Sequence, residues 1–251
     1  MNEMIAIFRG ALTLDTKTFD DLKASPAAFR KGFTFLLVIG LITGIVVGLV
    51  GMIQGLSTNP ATEIAQARQG LEQTMGQFMP PEAAAQFLDS LNMGMRIAER
   101  VTQEAKSPLP HPVGVVFEQI GVMVSYPFGW LGSLMFYGAL VQIAAKLLGG
   151  RGTIAQMLGL TSLTVAPYIL SAVAVLVNAI PFAGGCLASL IGLVEFVWGI
   201  VIYVKGTAVA HEMTGGRALM AVFLPIIVVG LVSVLALVPF IILIVAGSGG
   251  R

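Results

Sequence analysis

A long charge-free stretch near the N-terminus constrains the fold of the chain most strongly. From Phe33 to Ile53 no side chain is charged and most are aliphatic. An α-helix needs about 20 such residues to cross ~30 Å of hydrocarbon. Of the 251 residues, 56% are hydrophobic and 11% are charged, and a water-soluble core could not cover that much apolar surface. The sequence therefore predicts an integral membrane protein.

Four further apolar runs are long enough to form spans, and they lie near residues 121–147, 157–180, 187–204 and 218–246. None shows the apolar–polar alternation that a membrane β-barrel requires. We therefore predict an all-α integral membrane bundle of about five transmembrane helices. Proline removes a backbone donor from a helix. We expect Pro127 to break the second span, Pro167 to lie within the third, and Pro225 and Pro239 to bend the fifth.

The predicted spans divide the chain into four parts. Residues 1–32 form a cytoplasmic amphipathic segment, 33–56 the first transmembrane helix, 57–112 an extracytoplasmic helical hairpin, and 113–251 a four-helix transmembrane region. Apolar side chains recur at helical spacing on both sides of Pro80-Pro81, which predicts the hairpin. Its apolar stripes either pack on the bundle or on lipid headgroups, or they form a ligand lid or a partner-docking surface.

Positive charge in the short loops sets the expected orientation. Several Lys and Arg residues precede the first span, and the cations that flank later short loops are Lys146, Arg151, Lys205 and Arg217. Cytoplasmic loops carry such an excess. We therefore expect a multi-pass plasma-membrane protein with a cytoplasmic N-terminus and an extracytoplasmic C-terminus. The apolar residues from Met4 to Leu12 are expected to lie on the membrane surface as an interfacial anchor.

Three glycines at four-residue spacing mark one face of the first span. Gly40, Gly44 and Gly48 would let another helix approach closely, because small residues replace side-chain bulk with backbone contact. The pattern predicts tight helix packing. It does not distinguish a helix of the same chain from a second copy, so both intrachain packing and a homo-oligomer remain open.

Glu195 is the one charged residue inside the fourth predicted span. An ionised carboxylate at that depth costs ~2.5 kcal/mol or more, so the side chain must be protonated, paired or exposed to a wet cavity. Asn178 on the third span and Gln142 on the second are candidate partners. The three residues form either a proton- or ion-linked site or a hydrogen-bonded contact that fixes helix packing.

The sequence predicts no catalytic centre and no cofactor. It contains no nucleophile-elbow, zinc-protease or phosphate-loop motif. His111 and His211 fall on opposite sides of the predicted membrane, which excludes a shared metal site. Basic residues are scattered, which argues against nucleic acid as a partner. We expect the bilayer as a partner, with headgroup contacts by residues at the loop ends, namely Lys146, Arg151, Lys205, His211 and Arg217.

Three stretches of the chain carry a family resemblance, namely LDTKTFDDLKASPAAFRK at 14–31, KLLGGRGTIAQMLGLTSLTVAP at 146–167 and WGIVIYVKGTAVAHEMTGGRAL at 198–219. Together they resemble the Yip family of membrane proteins, whose eukaryotic members interact with Rab GTPases. The resemblance implies a five-helix bundle, a cytoplasmic N-terminus and no enzymatic activity. The Asp-Leu-x-Gly-Pro signature of eukaryotic members is absent, so Rab binding is not carried over.

Two functional hypotheses follow from these observations. The first is a non-enzymatic membrane protein that organises the bilayer or a membrane-protein partner through its N-terminal segment and outer hairpin. The second is a transporter or channel for a small solute, an ion or a lipid, in which Glu195, Asn178 and Gln142 line the pathway. The two differ in whether Glu195 faces a hydrated cavity or a closed helix interface.

Overall fold

The structure is a computed structural model that describes residues 2–57, 87, 91, 93–94, 109–178, 180 and 183–248. These residues are almost all helical, and no strand occurs among them. Five helical stretches in this part of the chain are long and apolar enough to cross a membrane, namely Ala28–Ser57, His111–Leu147, Ile154–Asn178, Gly184–His211 and Gly215–Leu235. The predicted all-α fold with about five spans is therefore confirmed.

Two short helices precede the first span. α1 is Asn2–Leu12 and α2 is Thr16–Ala24. Asp15 caps α2, since its carboxylate accepts hydrogen bonds from the backbone N–H and the hydroxyl of Thr18, at 3.0 and 2.7 Å. Leu14 adopts a positive φ of 54° between the helices. Few residues other than glycine adopt this conformation, so the turn that reverses the chain is strained and well defined.

α3 is Ala28–Ser57 and α4 is His111–Leu147. α4 continues through Pro127 without a break, so the predicted interruption of the second span is wrong. The proline lies against α3, where a Cβ atom built on Gly40 would be only 2.8 Å from the Cβ of Pro127. Neighbouring helices can support a proline inside a membrane. The close packing of Pro127 on α3 is a support of this kind, and α4 stays unbroken.

The third span is not one uniform α-helix. α5, Ile154–Thr161, begins at a capping box formed by Thr153 and Gln156. A nine-residue 3-10 helix follows at Ser162–Leu170, with Pro167 inside it, and α6 completes the span at Ser171–Asn178. Runs of 3-10 helix this long are uncommon and often mark functional or strained positions.

α7 is Gly184–His211 and α8 is Gly215–Ser248. α8 continues through both of its predicted bending points, Pro225 and Pro239. A tight turn joins α7 to α8, with Glu212 in the left-handed conformation at φ 55°.

The chain divides into two compact units. The first comprises Met1–Val47 and Val122–Arg251, and the second is Gly48–Gly121. In the first unit, the turns 148–153 and 212–214 meet at a hydrogen bond of 3.1 Å from the Arg151 N–H to the His211 carbonyl. We call this end of the first unit, which also carries α1 and α2, the N-terminal face. The predicted hairpin at 57–112 lies almost entirely outside the described residues.

Candidate functional site

Glu195 is buried inside the first unit. Its side chain lies on α7, and the residue is only 5% exposed. The hydroxyl of Ser171, the first residue of α6, donates a 2.8 Å hydrogen bond to Oε2. Oε1 is also buried and has no hydrogen-bond partner among the described residues. A buried polar atom without a partner carries a desolvation cost of about 1–3 kcal/mol. A proton or a ligand that pairs with Oε1 would offset this cost.

The structure does not place the two predicted partners beside Glu195. Asn178 is exposed at the end of α6, where its backbone lies against Gly184. Gln142 lies near the N-terminal face and donates a 3.2 Å hydrogen bond to the carbonyl of Gly152. The predicted three-residue site is therefore corrected to a Glu195–Ser171 pair. Ser171 is not among the partners predicted from the sequence, although a hydroxyl near the centre of an apolar run is a signal for a polar contact.

Aromatic side chains surround the Glu195–Ser171 pair. Tyr126 and Tyr168 lie close enough to interact electrostatically with the carboxyl group. Trp130 joins the two tyrosines, with ring centroids 5.0 Å from Tyr126 and 5.3 Å from Tyr168. These rings come from α4 and from the 3-10 segment, so four elements meet around the pair, namely α4, the 3-10 segment, α6 and α7.

The predicted glycine stripe lies at a contact within the chain. A Cβ atom built on Gly44 would be 2.9 Å from the carbonyl oxygen of Met123 and 2.9 Å from the Cβ of Tyr126. Gly40 meets Pro127 one turn away, and Gly48 is buried. α4 thus occupies the Gly40–Gly44 part of the stripe.

The N-terminal helices dock on α7 through three hydrogen bonds at the α1–α2 turn. The ammonium of Lys205 donates to the Leu14 carbonyl at 2.8 Å and to the Thr16 hydroxyl at 2.9 Å. The indole N–H of Trp198 donates to the carbonyl of Leu12 at 3.0 Å. Carbonyl groups at a helix C-terminus lack helical partners and carry partial negative charge. A lysine and an indole donor on α7 satisfy them.

Apolar contacts extend this docking along α1 and α2. Phe19 and Leu22 of α2 and Ile7 and Ala11 of α1 are buried in the same core as the transmembrane helices. The ammonium of Lys205 also lies 5.6 Å from the centroid of the Phe19 ring, within the range of a cation–π interaction. We call α1, α2 and their contacts with α5 and α7 the N-terminal layer. Its apolar face points into the protein, which differs from the anchor on lipid that the sequence suggested.

Two ion pairs lie at the edge of the N-terminal layer. The Nζ atom of Lys23 on α2 lies 2.8 Å from Oε1 of Glu212, and the Nζ atom of Lys31 lies 2.6 Å from Oε1 of Glu3 on α1. The hydrogen bond from Lys23 lowers the pKa of the Glu212 carboxyl, and the hydrogen bond from Lys31 lowers the pKa of the Glu3 carboxyl. Both glutamate side chains are more than half exposed to solvent, so these pairs add orientation more than stability.

The five residues predicted to touch headgroups occupy different environments. His211 is 1% exposed, and neither ring nitrogen has a hydrogen-bond partner among the described residues. Lys205 is engaged by the α1–α2 turn. Lys146, Arg151 and Arg217 are exposed at the N-terminal face. Headgroup contact remains a prediction for these three cations, whereas the His211 ring is enclosed by protein.

The described residues contain no cluster of three or more His, Cys, Asp or Glu side chains that could hold a metal ion. Cys186, near the start of α7, is a free thiol and is exposed.

Comparison with known proteins identifies the family. The chain matches the family model described as "Yip1 domain" over residues 9–238. No curated protein and no solved structure matches the chain. The matched region contains all three stretches that resemble the Yip family in sequence, and it includes every described span. The chain is a multi-pass membrane protein and belongs to the Yip1 family.

Proposed function

We propose that this protein is a non-enzymatic membrane organiser that uses its N-terminal layer to bind a membrane-protein or cytoplasmic partner. The docking of α1 and α2 on α7 carries the proposal. An amphipathic segment that served as a lipid anchor would present its apolar face to the bilayer. Here that face is buried in protein, and residues of the opposite face, such as Ile5, Lys17 and Asp20, are exposed. A preorganised surface binds at a lower entropic cost than a mobile one.

Photo-crosslinking tests the proposed contact surface. A benzophenone amino acid at Ile5, which is 53% exposed, should give a discrete protein adduct in native membranes. The same probe at Phe136, a 73% exposed position on α4, should give lipid adducts. Lys205→Met should weaken the Ile5 adduct, because it loosens the layer. Lipid adducts alone at Ile5 would return the segment to the role of a membrane anchor.

We also propose that the N-terminal face is cytoplasmic, in a plasma membrane. The exposed cations Lys146, Arg151 and Arg217 at this face support that orientation. Cys186 is the only cysteine of the chain and is exposed at the start of α7. A membrane-impermeant maleimide should label it in intact cells. A Cys186→Ser, Thr214→Cys variant places the thiol at the N-terminal face and should react only after the membrane is permeabilised. The reverse pattern would invert the topology.

A second candidate function is proton- or ion-linked transport. The buried Oε1 atom of Glu195, which lacks a partner among the described residues, supports it. Carboxylates inside spans commonly mark proton relays. The protein in liposomes should then carry a proton flux above that of protein-free vesicles, and Glu195→Gln should remove it. Equal flux for the variant and the wild-type protein would leave Glu195 with a packing role.

A further inference from the structure

Two adjoining cavities lie among α4, the 3-10 segment, α7 and α8. Their volumes are about 300 and 220 Å³. They share a wall formed by Tyr137, Thr164, Tyr168 and Tyr203. Glu195 lines neither cavity, so they are distinct from the Glu195–Ser171 pair.

Local geometry explains why this space is left open. A 3-10 helix is wound more tightly than an α-helix, so the segment that carries Thr164 and Tyr168 fills less of the gap between its neighbours. On α7, Gly199 lets the 3-10 segment approach closely at the wall of the smaller cavity, since a Cβ atom built there would be 3.3 Å from Cε2 of Tyr168 and 3.5 Å from Cγ2 of Thr164. The backbone at these positions therefore shapes the wall that the two cavities share.

Two hydroxyl groups in the shared wall lack partners. The Tyr203 residue is 6% exposed, and its hydroxyl has no hydrogen bond of normal geometry among the described residues. The neighbouring Thr161 hydroxyl already donates to the Met157 carbonyl at 2.8 Å. The buried hydroxyl of Thr164 is also without a partner in this part of the chain. Leaving such groups unpaired in an apolar setting is costly, so an occupant with a hydrogen-bond acceptor would be favoured.

The depth of the cavities indicates what the occupant is. α7 has 28 residues and is therefore about 42 Å long, against ~30 Å of hydrocarbon. Lys205 marks the edge of the hydrocarbon on the N-terminal face, because a charge is costly any deeper. Tyr203 lies two residues inside that edge, about 3 Å along the helix axis. Acyl carbonyl groups of membrane lipids lie near this level.

We propose that the two cavities form a site for one acyl chain of a membrane lipid, whose carbonyl oxygen accepts hydrogen bonds from Tyr203 and Thr164. Among the residues that the structure describes, no charged side chain lines either cavity, which suits a hydrocarbon chain and a neutral carbonyl. Ser133 and Phe196 line the cavities and are exposed, so an acyl chain can enter directly from the bilayer. The carbonyl belongs to a phospholipid ester or to a free fatty acid, which share this chemistry.

Photoactivatable lipids test the site. The protein is reconstituted in phosphatidylcholine vesicles that contain either a trace of phosphatidylcholine with a mid-chain diazirine or a diazirine fatty acid. Adducts are mapped by mass spectrometry after illumination. We expect adducts on the wall residues Tyr137 and Tyr168. The probe that labels them identifies the source of the carbonyl, and labelling by either probe supports the site.

Two variants with matched controls decide the outcome. Ser133→Phe fills the larger cavity and should reduce wall adducts at least about tenfold, whereas Ser125→Phe, on the same helix but outside both cavities, should not. Tyr203→Phe removes one hydroxyl and should reduce them about three- to tenfold, whereas Tyr126→Phe should not. If Ser133→Phe does not fold, Tyr203→Phe decides alone, since it removes a single oxygen atom. Wall adducts that are absent with both probes, or unchanged in Tyr203→Phe, would overturn the proposal.

Discussion

Lys205 holds the N-terminal layer on the bundle, and replacing it with methionine should loosen that layer. Methionine keeps most of the apolar length of the side chain but loses the ammonium group. The change removes hydrogen bonds of 2.8 Å to the Leu14 carbonyl and 2.9 Å to the Thr16 hydroxyl, together with the cation over the Phe19 ring. The Leu14 carbonyl then loses its donor at a strained turn, which has φ 54°.

The expected loss follows from these contacts. A hydrogen bond to a charged group contributes about 1.5–3 kcal/mol, and a partly exposed cation–π contact about 0.5–1 kcal/mol. Lys205 is half-buried, so water screens part of its hydrogen bonds and of its cation–π contact. The expected loss of docking free energy is then about 2 kcal/mol. That free energy corresponds to a roughly 30-fold shift of the docking equilibrium towards the undocked state.

Hydrogen–deuterium exchange measures this equilibrium in detergent or nanodiscs. Amides of α2 around Phe19 and Leu22 should exchange roughly 30-fold faster in Lys205→Met, because exchange reports local opening. Amides of α4 should be unaffected. Lys17→Met, which removes an exposed lysine of α2 itself, is the matched control and should stay near the wild-type rate. An α2 rate within about threefold of wild type in Lys205→Met would refute the role given to Lys205.

Three further predictions test other contacts. Glu195→Gln should lower the thermal unfolding midpoint by no more than about 4 °C, because the amide oxygen still accepts a hydrogen bond from the Ser171 hydroxyl. A larger decrease of the midpoint in a thermal scan would show that the carboxyl group itself is needed. Gly40→Ala should cost about 1–3 kcal/mol through its clash with Pro127, whereas Gly129→Ala, which meets nothing within 4 Å, should be neutral or slightly stabilising. The pKa of Glu212 is lowered in the folded protein from the ordinary carboxyl value of 4.5. The contribution of Glu212 to docking is therefore fully present above pH 4.5 and is lost as the pH falls through the lowered pKa. The protection of the α2 amides, after correction for the intrinsic exchange rate at each pH, should therefore fall with acid in the wild type, and Glu212→Gln should lack that component.

The sequence by itself determined the class of fold and the spans. A charge-free run such as Phe33–Ile53 has one stable arrangement in a bilayer, because helical hydrogen bonds satisfy its backbone locally. The start of α2 is equally local, since the N-cap Asp15 acts within three residues. The same reasoning singled out Glu195 as the polar residue that needs an explanation.

Only the tertiary structure decided which groups meet. Glu195 pairs with Ser171 and not with Asn178 or Gln142, because the rotation and height of each helix depend on packing with all its neighbours. Lys205 and Leu14 are 191 residues apart in the chain, and no local pattern links them. Apolar periodicity shows that a helix has a buried face, but the same periodicity suits a lipid surface and a protein core equally well. The N-terminal layer packs on protein here, where α7 supplies fixed hydrogen-bond donors to the α1–α2 turn.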